Sequence, residues 1–576
     1  MKALTHLVLA ALLATFPFAV AADDGDDSNE LVGSIEVGGL ITEVDDLPDK
    51  AAEFNTVEDG PVGKVKLSTF QDWGALDFKF KYMATDENEG HLNFDVKRMV
   101  RSHTTYIKVP HRLGHDPMTN LESTSTNGKV VQHTDFSPDQ DYVMEYALFE
   151  DRTELQFPGF RPLTLAIEFR EQQRKGHTQA FTTSHCDTCH LKSQAHARNQ
   201  STTDGTLEAS VAWKSGLIRA RFTDRQLREG NPDVTVTFDN NLHPELQVPV
   251  FDNRMQYDDD VGPVPADLKP EIDKSTTRLD FRWASKNGLA ITANGVWATT
   301  ENRGTGYEAD YSGYVVTAAK RFGNDLRLRW RGKVYETEND DVYIEPIQRT
   351  TPAGAHAGLT YYDVYGLTFD QWRTSALDRE GLESKLDASY RLGRKGGTLR
   401  GSWDYDVIDR ETYEVLPGEK ETTSNVLGLS YRVRPAKGLR FDAEYKYGDV
   451  KNAFTLIDGT CSTLVSEQYP NPWNPETPQY HDFHDARIAE TTASASSWNR
   501  ATVALGWSFA GATLTGRYVW WDGDNTDGDL TDWSKERQTA TVTLWSPGGA
   551  NWDWYLGWAY QDMSLDAPAC IPVFDG

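Results

Sequence analysis

The segment Leu326-Arg327-Leu328-Arg329-Trp330-Arg331-Gly332-Lys333-Val334 gives the clearest indication of the fold. Its apolar side chains alternate with four cations, Arg327, Arg329, Arg331 and Lys333. Successive side chains of a β-strand point to opposite faces. The segment therefore predicts a strand with one apolar face and a column of cations on the other.

The same alternation recurs along much of the chain. It is found at Leu279-Phe281-Trp283, Leu399-Trp403-Tyr405, Leu439-Phe441-Tyr445, Val503-Leu505-Trp507-Phe509, Leu514-Tyr518-Trp520 and Trp552-Trp554-Leu556-Trp558. Segments of about ten residues that alternate in this way are typical of transmembrane β-barrels.

The connections between these segments alternate in length. Short turns are predicted at Lys286-Asn287-Gly288, Gly323-Asn324-Asp325, Arg394-Lys395-Gly396-Gly397 and Pro435-Ala436-Lys437-Gly438. Long polar links are predicted near 229–275, 338–381, 450–497 and 523–536. Outer-membrane barrels have short periplasmic turns and long outer loops. The prediction is an all-β fold, a large transmembrane antiparallel β-barrel of roughly 20–26 strands.

Composition restricts the class of protein further. The chain has 576 residues and a net charge of −29, with a mean hydropathy of −0.59. No internal stretch approaches the roughly 18 apolar residues that a spanning helix needs. Aromatic residues make up 11% of this polar chain, which fits an apolar outside around a wet interior. The acidic balance argues against nucleic acid as a partner.

The N-terminus predicts export. Lys2, the apolar run Leu7 to Phe18 and the small residues Ala19-Val20-Ala21 form a signal peptide over 1–21. An acidic periplasmic leader is expected over 22–30 and the barrel over 31–576, in the bacterial outer membrane. The last clear strand, Trp552 to Met563, is expected to run outward, whereas bacterial barrels end in the periplasm. We therefore expect that the chain is truncated or that its tail returns irregularly.

One motif carries chemistry. Cys186-Asp187-Thr188-Cys189-His190 is C-x-x-C-H, the pattern that attaches c-type haem through two thioethers, with His190 as the proximal iron ligand. His177, His185 and His196 are equally placed to supply the sixth ligand. A disulfide between the two cysteines, or a metal such as zinc held by Cys186, Cys189, His190 and another histidine, fits the same residues. The motif is expected in a long link over 172–205.

Two further sets of residues are candidates. Cys461 and Cys570 fall in regions assigned to the outer side, where they form either a disulfide or two unrelated thiols. The cations Arg327, Arg329, Arg331 and Lys333 face the lumen if Leu328 and Trp330 face lipid. A charged lumen suits contact with a protein surface or haem propionates, and it equally suits an ordinary porin.

The order of several short motifs resembles the MtrB/PioB family of outer-membrane barrels. The segment 53–60 precedes the strand Lys64-Val65-Lys66-Leu67, and Tyr106-Ile107-Lys108-Val109-Pro110-His111 ends a strand before a polar loop. Phe160-Arg161-Pro162-Leu163-Thr164-Leu165 then opens a strand that precedes the C-x-x-C-H link. Nearly the whole mature chain shows the barrel pattern.

The resemblance implies a function. Barrels of this family, associated with decahaem cytochromes, form porin-cytochrome conduits. They enclose a multihaem c-type cytochrome inserted from the periplasm, and a second cytochrome often docks outside. Electrons then cross the outer membrane in extracellular electron transfer, while the barrel insulates and aligns the haems and performs no bond chemistry. The alternative is a solute porin. An outer-membrane enzyme and a secreted binding protein are weaker rivals.

Overall fold

The computed structural model places most of the chain in β-strands. It describes residues 31–41, 53–54, 59–83, 87–119, 123–124, 130–183, 190–232, 234–236, 255–256, 264–265, 269, 271–344, 349–350, 359, 363, 371–373, 378–393, 396–410, 421–451, 495–525, 533–548 and 552–567. The predicted signal peptide and leader lie outside the described residues. Within these ranges, no helix is long and apolar enough to cross a membrane.

The strands follow one another along the chain. They are β1 (Leu31–Leu40), β2 (Gly60–Gln71), β3 (Gly74–Met83), β4 (Glu87–Val96), β5 (Val100–Arg112), β6 (Ser123–Thr124), β7 (Val130–Asp135), β8 (Val143–Gln156), β9 (Leu163–Thr183), β10 (His190–Trp213), β11 (Gly216–Glu229), β12 (Thr235–Val236), β13 (Met255–Gln256), β14 (Val264–Pro265), β15 (Ile272–Ala284), β16 (Leu289–Asn302), β17 (Tyr307–Phe322), β18 (Leu326–Asn339), β19 (Val342–Ile344), β20 (Arg349–Thr350), β21 (Gln371–Arg373), β22 (Arg379–Arg391), β23 (Thr398–Asp409), β24 (Thr422–Ala436), β25 (Leu439–Lys451), β26 (Ser497–Phe509), β27 (Ala512–Asn525), β28 (Trp533–Pro547) and β29 (Asp553–Asp566).

One antiparallel meander forms the wall. Among the described residues the main sheet holds 23 strands, and 21 remain when the short β6 and β7 are set aside. Each wall strand pairs with the next wall strand in the chain, from β1 with β2 to β28 with β29. In the described part of the chain β1 and β29 do not pair with each other. This confirms the predicted all-β, antiparallel architecture.

The predicted turns are confirmed. Strands end and restart at 284/289, 322/326, 391/398 and 436/439, where the short turns were expected. Gly288 and Gly438 have φ angles of 78° and 80°, a region that costs a side chain strain. A Cβ at Gly438 would lie 2.3 Å from the Ser508 carbonyl oxygen. The long links also fall where they were expected, between β11 and β15, β18 and β22, β25 and β26, and β27 and β28.

One prediction about the connections is wrong. The link expected over 172–205 is only the six residues 184–189, because its flanks are the paired strands β9 and β10. The two strands stay in register from Leu163↔Val211 to Thr183↔Leu191. They form the longest hairpin of the described wall, with strands of 21 and 24 residues.

The end of this hairpin extends beyond its neighbours. β9 pairs with β8 only as far as Gly176, and β10 pairs with β11 only from Gln200 onward. The seven residues 177–183 therefore project by about 20 Å at the usual rise of a strand. The extension is supported by β7, which runs parallel to the start of β10 from Gln132↔His190 to Asp135↔Ser193.

Candidate functional site: the polar face of the wall

The two faces of the wall reverse the pattern of a soluble protein. Leu207 is 60% exposed while the adjacent Glu208 is 6% exposed, and Leu279 and Asp280 show the same contrast at 45% and 6%. Large exposed apolar side chains recur on one face of β10, β11, β15, β18 and β22 to β29. A continuous apolar face of this size needs an apolar surrounding. The charged side chains collect on the other face, which we call the polar face.

The predicted cation column lies on this polar face. The cross-strand pairs Lys333↔Glu383 and Arg331↔Lys385 place the column opposite the charged side chains of β22. The Lys333 ammonium lies 2.7 Å and the Arg331 guanidinium 3.5 Å from Glu383 carboxylate oxygens. Arg327 and Arg329 are exposed and have no ion pair in the described part of the chain. Half of the column is therefore neutralised by β22.

The densest charge network joins β8 to β11. The Arg152 guanidinium donates to Glu154 and Glu208 at 3.0 and 3.1 Å and also contacts Glu168. Arg221 pairs with Glu168 as well. The carboxylate of Glu208 is 4% exposed, so its charge depends on these partners.

A second part of the same network lies nearer the long hairpin. Arg225 makes a bidentate pair with Asp204, at 2.7 and 2.8 Å. Arg170 donates to Glu150 at 2.9 Å and lies 3.6 Å from Asp204. Both of these arginines therefore have a carboxylate partner supplied by a neighbouring strand.

The sequence reasoning missed a different kind of cluster on β26 to β28. A concave region of about 450 Å³ is lined there by Arg500, Arg517, Val519, Trp521, Lys535, Arg537 and Thr539. None of its four cations has an ion pair in the described ranges. The signal was the alternation of Lys535 and Arg537 in β28, but the register that brings them beside Arg500 and Arg517 is set by the sheet.

The haem motif falls at the end of the long hairpin. Cys186 and Cys189 lie outside the described residues. His190 is the first residue of β10, and the strand pair closes at Thr183↔Leu191. His185 is likewise outside the described ranges, whereas His177 and His196 lie within the extended strands, where His196 is 2% exposed. The described residues contain no group of three or more metal-ligating side chains. Cys461 and Cys570 also lie outside the described residues.

A buried acid anchors the projecting end of this hairpin. The carboxylate of Asp135, 4% exposed, accepts hydrogen bonds from His115 at 2.6 Å and from the Ser193 hydroxyl at 3.0 Å. The Ser137 backbone N–H donates to it at 3.0 Å. Burial alone would raise the pKa of Asp135, but these three hydrogen bonds hold the pKa below its ordinary value. The ionised carboxylate therefore ties β7 to β10.

The part of the chain from β15 to β25 matches a known family. Residues 268–450 match the model described as "Putative outer membrane beta-barrel porin, MtrB/PioB". No curated protein is significantly similar to the chain.

Several solved structures are similar to the chain. The ferric-catecholate import receptor Fiu from E. coli is 9% identical, with 92% of this chain and 76% of that one covered and a TM-score of 0.38. A mutant ferric enterobactin receptor from Pseudomonas aeruginosa is 8% identical, with 90% and 74% covered and a TM-score of 0.42. OccK10 (OpdN) from Pseudomonas aeruginosa is 10% identical, with 74% and 92% covered and a TM-score of 0.29. Residues 268–450 are thus similar to the MtrB/PioB family of outer-membrane porins, and the chain is an outer-membrane β-barrel protein.

Proposed function

We propose that the barrel is a sheath that houses and aligns a multihaem c-type cytochrome and so provides a path for electrons across the outer membrane. The observation that carries this proposal is the MtrB/PioB match over 268–450, which agrees with the resemblance drawn from the N-terminal motifs. The polar face is then the lumen surface, and the column Arg327, Arg329, Arg331 and Lys333 faces the enclosed partner.

The width of the wall supports this role. Barrels of about 16 to 18 strands leave an aqueous channel, and barrels of about 22 strands hold a folded plug. A wall of 21 strands falls close to the second class. Its lumen would therefore admit a folded cytochrome, with a second cytochrome docking at the outer end.

The charge network of β8 to β11 also supports it. Arg152, Arg170 and Arg225 are already paired with carboxylates of the wall. Such pairs hold the side chains in fixed positions and limit the net field along the lumen. Charges held in fixed positions suit the wall of a barrel that encloses a folded protein.

The residues of the C-x-x-C-H motif fit one covalent haem. Cys186 and Cys189 supply thiols for two thioethers, and His190 at the start of β10 would be the proximal ligand. When bound, the haem would supply one-electron redox chemistry. The hairpin would hold it beyond the end of the wall, between an enclosed cytochrome and an outer one.

A solute porin is the second candidate, favoured by the charged lining, which porins share. The two functions differ in what crosses the membrane. We expect the barrel purified in mild detergent to retain a multihaem cytochrome. The complex in liposomes should transfer electrons from an internal reductant to an external acceptor, while the barrel alone should not. A barrel that retains no haem protein and gives a large, stable ion conductance would establish the porin instead.

The haem motif has its own test. We expect mass spectrometry of the 186–190 peptide to show a covalent haem mass that the double variant Cys186→Ala/Cys189→Ala lacks, while the cytochrome still co-purifies. A disulfide mass in the unreduced wild-type peptide would reassign the two cysteines and leave the sheath proposal standing.

A further inference from the structure

The polar face of β26 to β28 carries cations without carboxylates. Cross-strand pairing places Arg500 beside Trp521, and Trp521 beside Arg537. The alternate residues that share this face are 498–508 in β26, 513–525 in β27 and 533–547 in β28. They include Arg500, Arg517, Lys535 and Arg537 but no Asp or Glu. We call these four residues the cation patch.

The carboxylates of these strands point the other way. Asp522 and Glu536 occupy positions one residue out of phase with the patch, and Glu536 accepts a hydrogen bond from Trp520 on the opposite face at 3.2 Å. No ion pair joins the patch to any described residue. Among the described residues Arg327 and Arg329 are also unpaired, but the cation patch brings four unpaired cations into one concave region of about 450 Å³, in a chain whose net charge is −29.

Like charges on neighbouring strands repel, and they destabilise a sheet unless something neutralises them. The fold supplies neutralising carboxylates to Arg331 and Lys333 and to the arginines of β8 to β11, but not to the cation patch. Its guanidinium groups are free to make bidentate hydrogen bonds to carboxylates. Trp521 offers a flat apolar surface among them.

We propose that the cation patch is the docking surface for an acidic, carboxylate-bearing face of the protein enclosed in the lumen. The proposal rests on the proposed sheath function and names the part of the wall that holds the partner. Charge complementarity commits it to an acidic protein surface, because a cluster spread over three strands matches several carboxylates better than one small anion.

The direct test uses a labelled poly-L-glutamate peptide and the detergent-solubilised full chain, with binding followed by fluorescence anisotropy. The variant Arg517→Gln/Arg537→Gln should weaken binding at least tenfold. The matched control Arg400→Gln/Arg440→Gln removes two polar-face cations that are already paired with Asp387 and Asp442. The control should stay within about twofold of wild type, and circular dichroism should show that both variants are folded.

Two outcomes would overturn the proposal. The first is equal weakening by the two double variants, which would show only a general effect of charge. The second is displacement of the peptide by inorganic phosphate at concentrations no higher than those of the peptide, which would make the patch a small-anion site. Failure of the sheath function is separate, because it would appear as the absence of a co-purifying haem protein while poly-L-glutamate binding remained.

Discussion

Two parts of the wall, β8–β11 and β26–β28, differ in whether their cations are paired with carboxylates. In the first, Arg152 and its neighbours are matched by carboxylates from adjacent strands, and Glu208 is almost fully buried among them. In the second, Arg517 and Arg537 face an open concavity with no described partner. In a partly buried network of paired charges, the loss of one member destabilises the fold because it leaves its partner's charge uncompensated. Unpaired charges contribute to binding at a cost in stability.

The largest expected effect on stability is in the charge network of β8–β11. Replacing Arg152 by Met should lower the free energy of unfolding by about 3 kcal/mol, because it leaves the buried Glu208 carboxylate with only the more distant Arg219 at 3.5 Å. Urea unfolding of the barrel in lipid vesicles measures this. The matched variant Arg517→Met in the cation patch should change the free energy of unfolding by less than about 0.5 kcal/mol. If the two variants lost equal amounts of stability, the charge network of β8–β11 and the cation patch would not differ in the way described.

A smaller and local effect is expected at the projecting end of the long hairpin. The lowered pKa of Asp135 means that its stabilising contribution is present above the ordinary pKa of about 4 and is lost as the pH falls through the lower folded value. The hydrogen-exchange protection of residues 190–199, relative to the intrinsic exchange rate at each pH, should therefore fall below about pH 4, and Asp135→Asn should show the lower protection at pH 7. A wild-type hairpin whose protection is the same at pH 3 and pH 7 would contradict this.

The smallest effect on stability is expected in the cation patch. Arg517→Glu places a carboxylate among Arg500, Lys535 and Arg537 and should stabilise the barrel by a few tenths of a kcal/mol, as exposed pairs do. The gain should disappear in 1 M salt, where exposed charges are screened within about 3 Å. Arg400→Glu is the control, because it should destabilise by breaking the pair with Asp387. A loss of stability in Arg517→Glu would contradict this prediction, because it would mean that Arg517 already has a stabilising partner.

The long hairpin shows where reading the sequence fails. Residues 172–205 are rich in Gln, Ser, Thr, Arg and His and lack the apolar alternation of a lipid-facing strand, so they were predicted to be a link. β9 and β10 form strands here because they pair with each other from Leu163↔Val211 to Thr183↔Leu191, and β10 also pairs with β7. A strand outside the lipid has no need of an apolar face, so its sequence carries no alternation.

The all-β class, the turns at Gly288 and Gly438 and the alternation of faces can be predicted from the amino-acid sequence alone. These follow from local rules, namely the two-residue period of a strand and the φ angles that glycine allows. Which charges meet can be seen only in the folded sheet, because strand pairing brings together residues such as Arg152 and Glu208 that lie far apart in the chain. The same register left Arg500, Arg517, Lys535 and Arg537 together without carboxylates, since a strand's period sets the face of a side chain but not its neighbours.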